Sequence, residues 1–297
     1  MTTIGDLPPI EVQTVRPSAE LPPPPLTKTG KAGRSWTFFG DIVPPLGAFV
    51  LFIGAWYLFR AVVLNKFQRI LLPTPHDIVL HGFTEKDNPK NPGSLLKALF
   101  FTFRTSIIGL VISILLGTTL AVLMSRKKWL EKAIYPYAVV LQTIPILAIV
   151  PIMGSIYGYG LSTRLIVCVI ISIFPIITNT LFGLKSPESG QHDLFTLHKA
   201  NSMTRLFKLQ FPAALPAMFE GFRISAGLSV IGAIVGEFFF RASERGLGNL
   251  IDFYRQKLWG PQIFAALILS SLLALTYFLI FGWLRKIIVG KWYQAER

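Results

Sequence analysis

The sequence predicts an all-α membrane protein with six spanning helices, and three observations carry that expectation. Hydrophobic residues make up 52% of the 297 and charged residues only 15%, with a mean hydropathy of +0.55. Those values belong to membrane proteins, since soluble domains carry about 25% charge. Six runs are mainly apolar over the roughly 20 residues that a helix rising 1.5 Å per residue needs to cross hydrocarbon. The formal net charge of +14 sits largely in loops between those runs, which fits the positive-inside bias and argues against a nucleic-acid partner. The single cysteine, Cys168, lies in an apolar run and excludes an intrachain disulfide or a Cys-rich metal site.

Residues 1–41 read as a disordered, proline-rich tail with the run Pro22-Pro23-Pro24-Pro25, and no apolar core marks a cleaved signal peptide. The transmembrane domain then occupies residues 42–297. Its first span is expected over Ile42–Leu64, opened by Pro44-Pro45 as helix-start residues. The others are expected over Thr105–Met124, Ile134–Tyr157, Thr163–Leu184, Ala217–Phe240 and Ile263–Leu284. A longer loop follows the first span, with Leu72-Pro73-Thr74-Pro75 and Asn88-Pro89-Lys90-Asn91-Pro92-Gly93 as turn signals and Ser94 as a candidate cap.

Short loops set orientation. The loop after the second span carries Arg126, Lys127, Lys128 and Lys132, whereas the one after the third carries only Arg164. The basic loop is therefore assigned to the cytoplasm, together with both termini and the segment Gln191–Arg223. The connection Arg241–Pro261 falls outside.

Several spans carry residues that apolar helices ordinarily lack. The third contains Gln142, Pro145 and Pro151, and the fourth contains Pro175, Thr178, Asn179 and Thr180. Proline in a spanning helix frees carbonyls that neighbours, hydroxyls or water must satisfy, so these residues either line a polar path or tie adjacent helices together. In the fifth, Arg223 stands one turn inside the cytoplasmic end, where Glu220 can neutralise it at i to i+3 spacing, and Glu237 stands near the outer end within reach of solvent. Gly232-Ala233-Ile234-Val235-Gly236 is a GxxxG pattern that favours a close helix pair, within the chain or between subunits.

The polar stretch Gln191–Arg223 organises the rest. A helix is expected over Asp193–Leu209, with Leu194, Leu197, Leu206 and Leu209 at helical spacing, then a bend at Pro212 and Pro216. Such a stripe either lies on the membrane surface or docks a soluble partner. No nucleophile elbow, zinc motif or phosphate-cradling loop is present, and His76, His81, His192 and His198 fall in separate loops. An enzyme is not expected; if ATP drives the chain, another chain must bind it.

Taken together these residues resemble the permease family of binding-protein-dependent ABC importers, in the branch of nitrate, taurine and aliphatic-sulfonate permeases, with thiamine-pyrimidine and riboflavin-precursor permeases as a near alternative. The likeness covers about residues 71–292. It rests on Leu72-Pro73-Thr74-Pro75, on Pro145-x-x-Ala148-x-x-Pro151, on Phe174-Pro175 with Asn179-Thr180 and Gly183, and on Pro212-Ala213-Ala214-Leu215-Pro216 followed by Gly221, Arg223 and Gly232 to Glu237. The family's loop motif reads Glu-Ala-Ala, three residues, then Gly. Asp193, Leu194 and Phe195 stand where Glu-Ala-Ala would, and Lys199 stands at the glycine.

The resemblance implies a type I ABC importer permease (MetI-like) fold with a cytoplasmic coupling helix in the loop 191–217. It also implies a second permease subunit, two ATPase subunits that bind ATP and Mg, and an extracytoplasmic solute-binding protein, with no cofactor on this chain. Asp193, Leu197, Ala200, Asn201, Arg205 and Lys208 would meet the ATPase, and Pro212, Pro216 and Gly221 would pass its motion into the spans. Gln142, Pro145, Thr178, Asn179, Arg223, Ser229 and Glu237 are the candidates for the translocation path of a small anion or small aromatic solute. A secondary transporter or channel that uses Arg223 and Glu237 without nucleotide is the alternative.

Overall fold

The computed structural model describes residues 34–83, 95–239 and 245–290, and these are almost entirely helical. Helices α1 (Arg34–Val62), α2 (Gln68–Leu71) and α3 (Pro75–Asp77) precede a π-helical turn at Ile78–Gly82. Then come α4 (Leu95–Arg126), α5 (Lys128–Thr143), α6 (Ile146–Tyr157), α7 (Leu161–Leu184), α8 (Ser189–Leu197) and α9 (Ser202–Arg205). A second π turn, Leu206–Gln210, leads into α10 (Phe211–Phe239), followed by α11 (Leu247–Lys257) and α12 (Gly260–Val289). The chain divides within α1 into a unit ending at Phe52 and one beginning at Ile53, and all contacts described below lie in the second.

Five helices are long and apolar enough to cross a membrane, and α5 with α6 adds a sixth only if that bent pair is one span. The pair turns by 101° at Ile144-Pro145, where a continuous third span was expected. The cause is local: Ile144 and Pro145 are both extended (ψ 129° and 96°), as the residue before a proline prefers.

Small residues set the packing of the core. On the α7–α10 seam a Cβ at Gly221 would sit 2.8 Å from the Pro175 carbonyl, and one at Gly232 would sit 2.8 Å from Cys168 Cα. Gly236 likewise abuts Arg164, and Gly183 abuts Ala214, so the two helices run antiparallel with backbones almost touching. The GxxxG pattern thus packs inside one chain, against α7. On the other side of α7, Gly109 faces Cys168, Ser113 and Ser172 share a 2.8 Å hydrogen bond, and Gly117 faces Ile176. That rising register makes α4 and α7 parallel. Helix α12 joins through Tyr277, whose hydroxyl is 3.0 Å from Ser106 Oγ, and through Phe281 against Phe222.

Several boundaries move from expectation. Residues 34–41 are helical rather than tail, and Pro44 and Pro45 lie inside α1, where their fixed φ suits the helix and only backbone bonds are lost. The Pro22–Pro25 run and Ser94 lie outside the described residues. Pro212 and Pro216 do not break the chain into separate helices, because both sit inside α10. Pro212 has no N–H to give, and the π turn just ahead of it absorbs the mismatch, closing Phe211 N–H onto the Leu206 carbonyl. The single helix expected over Asp193–Leu209 is two helices with a break at residues 198–201. The connection after α10 holds a buried helix, α11, packed through Leu247, Leu250 and Tyr254 against Ala265 and Ala266.

The Leu72-Pro73-Thr74-Pro75 motif is a helix start. Thr74 caps α3 with Pro75 at its first position, and Asp77 returns the bond to the Thr74 N–H at 3.3 Å. The carbonyls of Leu72 and Pro73 accept from Arg60 Nε (2.9 Å) and Trp56 Nε1 (3.1 Å), which ties the end of α1 to this turn.

Candidate functional site

One end of the bundle gathers Arg126, Lys127, Lys128, Lys185, Arg205, Lys208, Arg285 and Lys286 around α8 and α9. The contacts that join these segments are polar. Arg126 Nη2 reaches Ser202 Oγ (3.4 Å) and Met203 Sδ (3.0 Å), and Lys185 Nζ meets Glu131 at 2.5 Å.

Helix α8 starts with a reciprocal Glu188–Gln191 cap and ends in a Schellman turn. The Ala200 N–H bonds to the Phe195 carbonyl (3.0 Å), the Lys199 N–H bonds to Thr196 (2.9 Å), and Lys199 takes the left-handed φ of 49°. A side chain stands where that turn favours glycine, at the position where the loop motif carries one. Asn201 is then spent on capping α9 through the Thr204 N–H (2.7 Å), and Arg205 Nη2 reaches back to Thr196 Oγ1 (2.9 Å). Arg205 and Asn201 therefore shape the loop; Arg205 is half-buried and Ala200 is half-buried beside it. Asp193, Lys208 and Leu197 are exposed, Leu197 to 80%, and Leu194, Met203 and Phe207 also present apolar surface. Leu206, between the two exposed sets, is buried with Leu184, Ala214, Met218 and Val289. The loop thus combines an open apolar face with a rigid seat on α7, α10 and α12.

A cleft of about 330 Å³ lies at the α5–α6 break, open to the surface at Leu141, Gln142 and Ile231, which are all exposed. Its wall is Leu141, Gln142, Ile144, Phe174, Pro175 and Leu228 among further isoleucines, so Gln142 is its one polar side chain. Pro145 marks the corner and is exposed. Thr178 and Asn179, both half-buried, turn back onto their own helix, with Asn179 Nδ2 donating to the Pro175 carbonyl at 2.8 Å. Ser229 is buried on the seam, where its carbonyl accepts from Cys168 Sγ (3.5 Å). Arg223 lies 3.8 Å from Glu220 and places its guanidinium carbon 3.5 Å from the Phe278 ring centroid, while Arg285 also approaches Glu220 at 3.3 Å. The expected i to i+3 neutralisation is present as part of a three-residue group.

Glu237 is not at a solvent-reachable end: it is 0% exposed. Its Oε2 accepts from Thr102 Oγ1 (2.8 Å) and the Gly248 N–H (3.0 Å), and Thr102 Oγ1 in turn accepts from the Leu247 N–H (2.8 Å). Asn249 donates to the Glu237 carbonyl and accepts from Arg164 Nη2 (3.5 Å). This knot joins α4, α7, α10 and α11. Sequence reasoning missed Thr102, Arg164 and Asn249, and read Arg164 as a loop residue although it is buried in the first turn of α7. Its only sequence trace was Gly246-Leu247-Gly248, whose missing side chains leave room for the Glu237 carboxyl and the Ile234 carbonyl.

Residues 109–289 match the family described as the binding-protein-dependent transport system inner membrane component. The chain is 35% identical over 216 residues to the formylaminopyrimidine transport permease of Halalkalibacterium halodurans, covering 71% of this chain and 82% of that one. It is 34% identical over 162 residues to the riboflavin transport system permease of Chloroflexus aurantiacus, covering 54% and 60%. It is 25% identical over 267 residues to a putative aliphatic-sulfonate transport permease of Bacillus subtilis, covering 90% and 88%.

Proposed function

Since the chain belongs to the family of binding-protein-dependent transport system inner membrane components, we propose that it forms the membrane pathway of an ATP-driven importer for a small, uncharged heteroaromatic solute of the aminopyrimidine kind. It is a transport subunit rather than an enzyme, and ATP and Mg belong to two partner ATPase subunits. A second permease subunit completes the pathway, and a solute-binding protein delivers the cargo at the far side.

The loop 189–211 is the docking element for the ATPase. What supports this is the Schellman turn with Lys199 at the motif's glycine position, beside open apolar surface at Leu194 and Leu197. Motion of that loop passes through buried Leu206 and the Gly221 contact into α7 and α10. ATP supplies the differential free energy that a solute with equal affinity for two states cannot.

Six spans with both termini cytoplasmic fit best. Parallel α4 and α7 require the chain between them to return across the membrane, which only α5 with α6 can do. The basic end, with Arg126, Lys127, Lys128, Lys185 and Lys286, is then cytoplasmic.

The cleft lining carries the solute class. An ion entering a wall of isoleucine, leucine, phenylalanine and proline would lose its hydration with no cation to replace it. A flat heteroaromatic ring buries its faces there and uses the Gln142 amide for its ring or exocyclic nitrogens. The higher identity to pyrimidine and riboflavin permeases than to a sulfonate permease agrees. The test is uptake into proteoliposomes holding the permease, its ATPase and its binding protein. A formylated aminopyrimidine should be taken up with ATP, and Gln142→Leu should lower that uptake about tenfold, the worth of one lost hydrogen bond to a buried partner. Uptake of an aliphatic sulfonate in preference, or uptake driven by an ion gradient without ATP, overturns the reading.

A further inference from the structure

At the opposite end of the bundle from α8, we propose a binding site for the phosphate of an anionic phospholipid headgroup. A shallow cavity of about 430 Å³ opens where α1 ends and α12 begins. Arg60, Lys66 and Arg69 line it against a single carboxylate, Asp77, with Trp259 and Gln262 closing the far wall. The two guanidiniums are held by backbone carbonyls rather than by direct carboxylate pairs among the described residues. Arg60 Nε donates to the Leu72 carbonyl (2.9 Å), and Arg69 donates to Leu64 (3.0 Å) and Ala61 (2.9 Å). Asp77 is engaged by Thr74, whose hydroxyl lies 2.5 Å from Oδ2. Two held guanidiniums and the free Lys66 ammonium therefore converge on one concave surface and want an oxyanion.

Depth selects the source of that oxyanion. The candidate spans Ile42–Val62 and Gly260–Val289 meet the cavity at their ends, which is the level of the headgroups. Trp56 and Trp259 stand at the same level, where amphipathic rings settle. Beside it Ile70, in the cavity lining, and Phe67 are exposed and offer an apolar track for acyl chains. A soluble phosphate would use the three cations and ignore the track, whereas a phospholipid uses both. The proposal depends only on the membrane placement of α1 and α12 and is independent of what the chain transports.

The full chain, purified in its membrane assembly and placed in mixed phosphatidylglycerol–phosphatidylcholine nanodiscs, tests this. Lipid retained after delipidation is counted by mass spectrometry. Phosphatidylglycerol should be retained over phosphatidylcholine. Lys66→Gln should lower that retention about fivefold, the worth of one basic residue at an anionic surface. Lys66 is exposed and makes no hydrogen bond or ion pair to the described residues, so its loss leaves the fold intact. An unchanged thermal midpoint of the delipidated variant checks this. Lys128→Gln, at the other end, should change nothing. Equal retention of both lipids, retention untouched by Lys66→Glu, or displacement of the lipid by millimolar inorganic phosphate each overturns the assignment.

Discussion

Lys199 shows what one residue costs and what it reveals. Its left-handed φ of 49° closes the Schellman turn of α8, a conformation that costs a side-chain-bearing residue about 1 kcal/mol or more relative to glycine. Lys199→Gly should therefore stabilise the purified chain by about 1 kcal/mol and raise its unfolding midpoint, and Lys199→Val should lower that midpoint, as read by thermal denaturation in detergent. Gly232 makes the opposite case. A side chain there meets Cys168 Cα, so Gly232→Leu must pry α10 from α7, and a destabilisation of about 1–3 kcal/mol or failure to assemble is expected. At Glu237 the two readings of a membrane carboxylate separate. Its enclosure makes it a joint between helices, so Glu237→Gln, which still accepts from Thr102 and Gly248, should retain the fold. Glu237→Ala leaves those donors orphaned and should cost about 1–3 kcal/mol for each.

Among elements, the loop before α10 was legible in its chemistry and not in its shape. The apolar positions Leu194 and Leu197 were found from spacing, and both are exposed. The break at residues 198–201 was hidden, because a lysine at a left-handed position carries no turn signal where a glycine would. Likewise Pro212 and Pro216 looked like a break, and the π turn ahead of α10, after which the helix runs on through both, has no sequence signature. The fourth span was read almost to the residue, since its apolar run ends cleanly at Leu184. Helix α11 was missed because it mixes Asn249, Asp252 and Tyr254 with leucines in a connection too polar to read as a span, although its buried Leu247, Leu250 and Tyr254 recur at helical spacing. Leu197→Asp tests the loop as a docking element: with the side chain 80% exposed, the permease should fold normally yet lose its ATPase on co-purification. The small cap at Thr74 has a pH signature. The Thr74 hydroxyl holds the Asp77 carboxyl below its usual value of 3.8, so the cap stabilises the loop above that value and weakens as pH falls through it. Amide exchange of residues 76–78 should accelerate only at such acidity, and in Asp77→Asn at every pH.

For the molecule as a whole, the parallel register of α4 and α7 is the observation from which the proposed topology follows. Cys168 is the single cysteine and is fully buried, so the native chain gives no background to thiol reagents. Ser162→Cys, in the first turn of α7, and Ser189→Cys, at the start of α8 just past its other end, should label from opposite faces of the membrane with an impermeant maleimide. Labelling from one face refutes the six-span arrangement. The sharp corner at Ile144-Pro145 also has an electrical consequence. Where α5 stops and α6 starts, outward-facing carbonyls and unshared amides come to adjoin one another beside the Gln142 cleft. The wall of that cleft thus contains a fixed plus-and-minus couple in place of a formal charge, an environment that welcomes a neutral molecule with its own strong dipole and gives a bare ion no net partner.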